Sequence, residues 1–250
     1  ESGQQVEVVE ERTEYETTFA NPDGATFTLE KSIAPVRVEK PGGGWQEPDA
    51  TLVKRADGSI GPKAATVDLT FSSGGQGKDL VTIGEDRQTI SLGWPGALPA
   101  PRLEGERAVY ENVLPDVNLI MTATVEGFRQ VLEVETPAAA ASPELQSIEY
   151  SMEVEGLTVR TGAVGTMEAL DGNGRVVFRS PTAQMWNSAG RSAEEGVSTQ
   201  SLAGRPLSAS GTRTASASAE SVPVAPAAEG DPLAGPGDGD QAAVMDVAVS

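Results

Sequence analysis

The sequence predicts an all-β, antiparallel, sandwich-like domain over residues 15–190, followed by a disordered linker rich in Ser, Ala, Gly and Pro. Three observations carry that prediction. Apolar residues recur with a period of two over many short runs. Turn-forming clusters built on Gly, Pro, Asn and Asp separate those runs. An apolar stripe of period 3.6 never persists for several turns, so almost no helix is expected.

Taken in order, residues 1–14 are polar and acidic and read as a flexible lead-in. From Tyr15, two β-prone runs flank Asn21-Pro-Asp-Gly, where Pro presets φ and Gly accepts a positive φ. Val36 and Val38 then share a face, ahead of a Gly-rich turn and Trp45. Short runs near Leu52, Ile60 and Val67 to Phe71 surround a second turn at Asp57-Gly58. Leu80 to Gly84 and Gln88 to Trp94 alternate around Glu85-Asp86 as a hairpin. Pro95 to Pro101 cannot form a central strand, because Pro donates nothing to a ladder.

The stretch Tyr110 to Glu135 is the most strongly patterned. Val117, Leu119, Met121 and Ala123 fall on one face and Asn118, Ile120 and Thr122 on the other. After a turn at Glu126-Gly127, Phe128, Gln130, Leu132 and Val134 share one side and Arg129, Val131, Glu133 and Glu135 the opposite side. Leu119 and Leu132 are therefore expected in the core. Pro137 to Glu144 reads as an Ala/Pro connection with a single helical turn at Ser142-Pro-Glu. Short strands are expected at Ile148 to Val154, Leu157 to Thr161, Met167 to Leu170 and Arg175 to Arg179, the last two joined by a turn at Asp171-Gly-Asn-Gly, and Pro181 to Trp186 closes the ordered part. Residues 191–241 lack the large apolar side chains needed to offset chain entropy. Residues 242–250 alternate again and read as the first strand of a further downstream domain.

Composition narrows the function classes. Eighteen Lys and Arg against 37 Asp and Glu give a formal charge of -19, which disfavours nucleic acid and anionic membrane surfaces. The chain has no Cys and no His, which removes Ser-His-Asp triads, Cys-His pairs and ordinary zinc sites. Carboxylate catalysis, Ser-Lys chemistry and oxygen-only cation sites stay open. A membrane-spanning run of about 18 apolar residues is missing. No cofactor is called for by any motif.

Several runs together suggest a family. TTFANPDGATFTLEKS, GGGWQEPDATLVKRADGSIGPKAA, LGWPGALP, YENVLPDVNLIMTATVEGFRQVLEV and DGNGRVVFRSPTAQMWNSAG lie between Tyr15 and Gly190. They resemble the N-terminal β-rich module of large exported bacterial proteins, where it stands ahead of disaggregatase-related (DNRLRE) modules, laminin-G-like jelly rolls or YD/Rhs repeats, as in wall-associated proteins. The strongest pieces are Tyr110 to Leu119 and Val177 to Trp186, which are structural signatures rather than catalytic ones. The chain departs from that pattern at Asn118 and Asn187, where the module usually carries Asp. The resemblance implies export, a multi-domain parent and a secreted or cell-surface location.

Two candidate sites follow from the residues. Trp45, Trp94 and Trp186 are a candidate carbohydrate-stacking set, although each lies beside a turn or Pro, where an aromatic also plugs the end of a sandwich core. Asp171 and Asn173, with Asp116, are a candidate cation set, because Asp-Gly-Asn-Gly resembles the opening of a calcium loop. The later acidic ligands are missing, with Arg175 and Val176 in their place, and a hairpin turn accounts for the same residues. No pair among the many acids stands out for glycoside hydrolysis, and Ser-x-x-Lys on a helix is lacking.

The expected function is a non-catalytic structural or adhesion module of an exported, surface-associated protein. Its expected partners are a cell-wall or glycan surface and the downstream domains of its own chain. The alternatives are a carboxylate-based glycoside hydrolase, or part of one, and the N-terminal part of a YD/Rhs toxin-delivery protein.

Overall fold

The computed structural model describes residues 3–76, 79–162 and 166–187, together with the backbone of two short strands at Arg213–Thr214 and Ala242–Val244. Most of the linker expected at 191–241 lies outside the described residues.

The alternating runs form antiparallel sheets. The largest is built from β6 (Asp49–Lys54), β7 (Ile60–Ala64), β8 (Asp68–Phe71), β9 (Asp79–Glu85), β10 (Gln88–Gly93) and β16 (Ser151–Glu155), in the order β16-β10-β9-β8-β7-β6. The loop between β9 and β10 shows how tightly the chain turns. Asp86 and Arg87 both take positive φ, 48° and 66°, as the two central residues of a primed hairpin turn must. That pair sits one residue later than the sequence suggests, because Glu85 still pairs with Gln88.

A second sheet holds β11 (Arg102–Glu104), β12 (Arg107–Leu114), β13 (Val117–Ala123) and β14 (Phe128–Val134) in simple meander order. It contains the central hairpin, with Leu119 opposite Leu132 and Ala123 opposite Phe128. A third sheet is β17 (Thr158–Thr161), β18 (Met167–Leu170) and β19 (Val176–Ser180).

The core lies where the inner face of the six-stranded sheet meets the other two. Register puts Leu69, Phe71, Val81, Ile83, Ile90 and Leu92 on that one face. Phe71 meets Phe128 of the four-stranded sheet edge-on, with ring centroids 6.3 Å apart. Ala169 and Phe178 of the three-stranded sheet belong to the same buried cluster. Between the sheets the packing leaves an apolar cavity of about 40 Å³, walled by Val81, Ile83, Leu92, Phe128, Met152, Met167 and Phe178.

Hydrogen bonds stitch the layers at their ends. Tyr110 is fully buried and donates its O–H to the Ser72 carbonyl at 2.7 Å. Burial pushes its pKa up, so the phenol stays protonated. The Thr66 N–H and hydroxyl both donate to the Val125 carbonyl, and Leu52 N–H donates to Gly105.

Among the described residues, one 3-10 turn stands at Val9–Glu11, and α-helix is confined to two single turns, α1 (Pro137–Ala140) and α2 (Pro143–Gln146). Each starts with Pro at its first position and is capped by a hydroxyl, Thr136 and Ser142 respectively. The run expected as one strand over Ile148 to Val154 is split into β15 (Ser147–Ile148) and β16, because Tyr150 leaves the ladder and turns inward against Trp94.

At the N-terminus, β1 (Val6–Glu7), β2 (Glu16–Ala20) and β3 (Phe27–Lys31) make a separate three-stranded sheet. Part of the expected lead-in is thus a strand, with Val6 opposite Ala20 and Glu7 opposite Phe19. The Glu7 carboxylate holds it there by receiving two N–H groups of Arg12 at 2.7 and 2.6 Å. A short hairpin, β4 (Val38–Glu39) and β5 (Trp45–Gln46), follows; Gly42, Gly43 and Gly44 in its loop all have positive φ. At the other end, β20 (Gln184–Trp186) pairs with Ala242–Val244. Those last three residues lie within the stretch read as the first strand of a further domain.

Candidate functional site

The outer face of the four-stranded sheet is concave and polar, in contrast to its inner face. Alternation along β12, β13 and β14 sends Arg107, Val109 and Glu111, then Asn118 and Ile120, then Glu133, outward, with Glu135 just past β14. Arg102 and Glu104 of β11 complete a cup of about 380 Å³. Val109 and Ile120 form its floor and are buried although they face away from the core. The longer charged side chains around them shield that floor.

Asn118 sits at the centre and is 8% exposed. Its Oδ1 accepts the Asn112 N–H at 3.0 Å, and its amide donates to Glu133 at 3.1 Å and to Glu135 at 2.8 Å. Every polar atom of that side chain is satisfied. The Asn112 contact has a local cause. The ladder between β12 and β13 is irregular from Tyr110 to Leu114, and Asn112 takes φ 54°, which turns its N–H toward the cup. The Asp116 carboxylate accepts the Thr136 hydroxyl at 3.0 Å just outside. Arg102 is paired with Glu104 and, at 3.2 Å, with Glu111. The cup thus sets guanidinium donors and carboxylate acceptors side by side over an apolar floor. That arrangement suits a ligand with many hydroxyls, which both donate and accept.

The tryptophans are placed apart along the chain, on β5, just after β10 and on β20. Trp94 is 8% exposed, belongs to the core cluster and packs edge-on against Tyr150, with ring centroids 5.6 Å apart. Trp45 is half-buried on β5, with the Arg37 guanidinium 5.9 Å from its ring centre. Trp186 is half-buried on β20. Asp171 and Asn173 lie in the β18–β19 turn. There the Asp171 carboxylate accepts the N–H groups of Asn173 and Arg175, both at 2.9 Å, and pairs with the Arg175 side chain. These bonds hold its pKa below the ordinary carboxylate value. Asp116 belongs to the other sheet, in the β12–β13 loop. Among the described residues, His, Cys, Asp and Glu side chains form no group of three placed to hold a metal ion.

Two polar contacts outside the cup join separate layers. Tyr15 donates its O–H to Glu126 at 2.6 Å and so ties the N-terminal sheet to the β13–β14 turn. Burial raises the Glu126 pKa against the opposing effect of that bond. Inside the core, the Gln130 amide donates to the Tyr150 hydroxyl, and the Gln130 Oε1 is left buried without a partner.

The cup was not singled out from the sequence. Its members are spread over 34 positions between Arg102 and Glu135, and only the period-two pattern hints that they share a face. Comparison with family models, with curated proteins and with solved structures returns no match.

Proposed function

We propose that this chain is a non-catalytic structural or adhesion module of an exported, surface-associated multi-domain protein, and that it meets a hydroxyl-rich wall polymer or glycan through the cup on its four-stranded sheet. The observation that carries this reading is the cup itself: a polar hollow of about 380 Å³ with opposite charges interleaved over Val109 and Ile120. A neutral polyol gains from both signs at once, whereas an anionic polymer meets Glu104, Glu111, Glu133 and Glu135 and a -19 chain. The catalytic alternative needs two carboxyl groups with opposed protonation states across a bond. In the cup, Glu133 and Glu135 instead lie on one side of the hollow and both accept from the same Asn118 amide.

The test is a screen of the purified chain against neutral and anionic cell-wall polysaccharides, with product analysis beside binding. Retention of a neutral polymer with no released oligosaccharide is the expected result. Release of oligosaccharides that stops when one Asp or Glu is replaced would overturn the non-catalytic reading and establish a glycoside hydrolase.

A further inference from the structure

The described body of the chain buries its large apolar side chains, and the N-terminal sheet does not. Six of the nine large apolar residues found exposed, Val6, Val9, Phe27, Leu29, Ile33 and Val36, fall within its first 36 residues. Register makes part of this set one surface. Val6, Ala20 and Phe27 lie directly across from one another over three strands, and Leu29 lies opposite Thr18 in the next row on the same face. Phe27 is 67% exposed and Leu29 58%. The other face of the sheet is occupied: Arg37 donates to the Thr17 hydroxyl there and approaches Glu7.

The edge is open as well. β3 pairs only with β2, and among the described residues no strand lies on its far side. An exposed edge strand with an apolar face is a template for strand addition. Its middle carries neither Pro nor Lys, since Lys31 stands at its end and is paired with Glu16.

Charge selects the occupant. The cations of this region are already engaged, Arg12 and Arg37 with Glu7 and Lys31 with Glu16. Glu30 is exposed on β3, and Glu10 and Glu11 are exposed just after β1. A second copy would bring the same acids, on a chain of charge -19, against these. We propose that β3 and the apolar face beside it dock an extended polypeptide segment from another protein, apolar on alternate residues and basic on the residues between. Its apolar side chains cover Phe27 and Leu29, and its basic ones face Glu30.

The probe is a short synthetic peptide alternating valine and lysine, titrated into the full chain, with a valine–glutamate peptide as control. Saturable binding of the first peptide only is expected. Leu29→Asp and Phe27→Ser should each weaken it about tenfold or more, equivalent to the loss of at least ~1.4 kcal/mol. Leu29→Asp separates docking from simple charge attraction, because it adds a negative charge. Undirected attraction predicts equal or tighter binding to this variant, and that outcome would overturn the proposal. A concentration-dependent dimer abolished by Leu29→Asp would also overturn it, in favour of a second copy. So would binding to phosphatidylcholine vesicles lost in the same variant, in favour of a lipid surface. Both substituted positions are solvent-facing, and unchanged thermal melts would show that the variants fold.

Discussion

The two faces of the four-stranded sheet are made from the same strands and have opposite characters. On the inner face Tyr110, Val117, Leu119, Met121 and Phe128 are buried in the common core. One residue along, on the outer face, Arg107, Glu111, Asn118 and Glu133 line a cup. A shift of one position thus exchanges packing for polar recognition, which is why register matters more here than the composition of any strand. Side chains on the inner face should govern stability, and those on the outer face should govern binding.

The largest effect should come from the inner face. Leu119→Ala should lower stability by roughly 2–5 kcal/mol, because the truncated side chain leaves a cavity that rigid neighbours do not fill. Leu132→Ala should act in the same direction but less strongly, since Leu132 is only partly buried. Denaturant unfolding checks both. A midpoint unchanged in Leu119→Ala would mean that the faces are wrongly assigned.

A polar contact within the core sharpens the comparison. Tyr150→Phe should cost about 1–3 kcal/mol, because it leaves the buried Gln130 amide with no partner. Adding Gln130→Met should recover most of that loss, since both polar partners are then gone. Equal stability of the single and double variants would show that the contact contributes nothing. On the outer face, Asn118→Asp should cost a comparable ~1–3 kcal/mol. It removes the donor that Glu133 and Glu135 share and sets a third carboxylate between them.

Acid should act in two stages. Glu126 has a raised folded pKa, so its ionised form opposes folding, and falling pH first relieves that cost. Asp49, Glu168 and Asp171 have lowered folded pKa values, so the stability they add is complete above their unfolded values and is lost as pH falls through the folded ones. For Asp49, which accepts from Thr51 and Lys63, the window runs from the ordinary 3.8 down to about 2. Melting temperature should therefore hold on mild acidification and fall within that window. Glu126→Gln should flatten the first stage and Asp49→Asn part of the second. The smallest stability effect belongs to the cup rim. Arg102→Ala removes only exposed ion pairs and should move stability by no more than about 1 kcal/mol.

The architecture was largely legible from the sequence for a physical reason. Where one face of a strand is buried, period-two patterning is enforced, as at Leu119 and Leu132 or at Ile83 and Leu92. Turns showed where a positive φ or a preset φ was required, as at Asp171-Gly-Asn-Gly. Elements held by something other than apolar alternation did not show. β1 is two residues long and is fixed by Glu7 with Arg12 and Arg37. β11 is exposed at every position. Tyr150 breaks a run that looked continuous because its ring is drawn to Trp94. The cup stayed hidden for a related reason, since its shape depends on a ladder irregularity and on the positive φ of Asn112.

The division between packing face and recognition face is tested most directly by one binding isotherm. It compares the chain with its Arg102→Ala/Glu133→Gln variant on the neutral polysaccharide retained in the screen. The account predicts that affinity falls about tenfold or more, at least ~1.4 kcal/mol, while the melting temperature stays near that of the parent. Unchanged affinity in a folded variant would contradict it and remove the cup from the ligand surface.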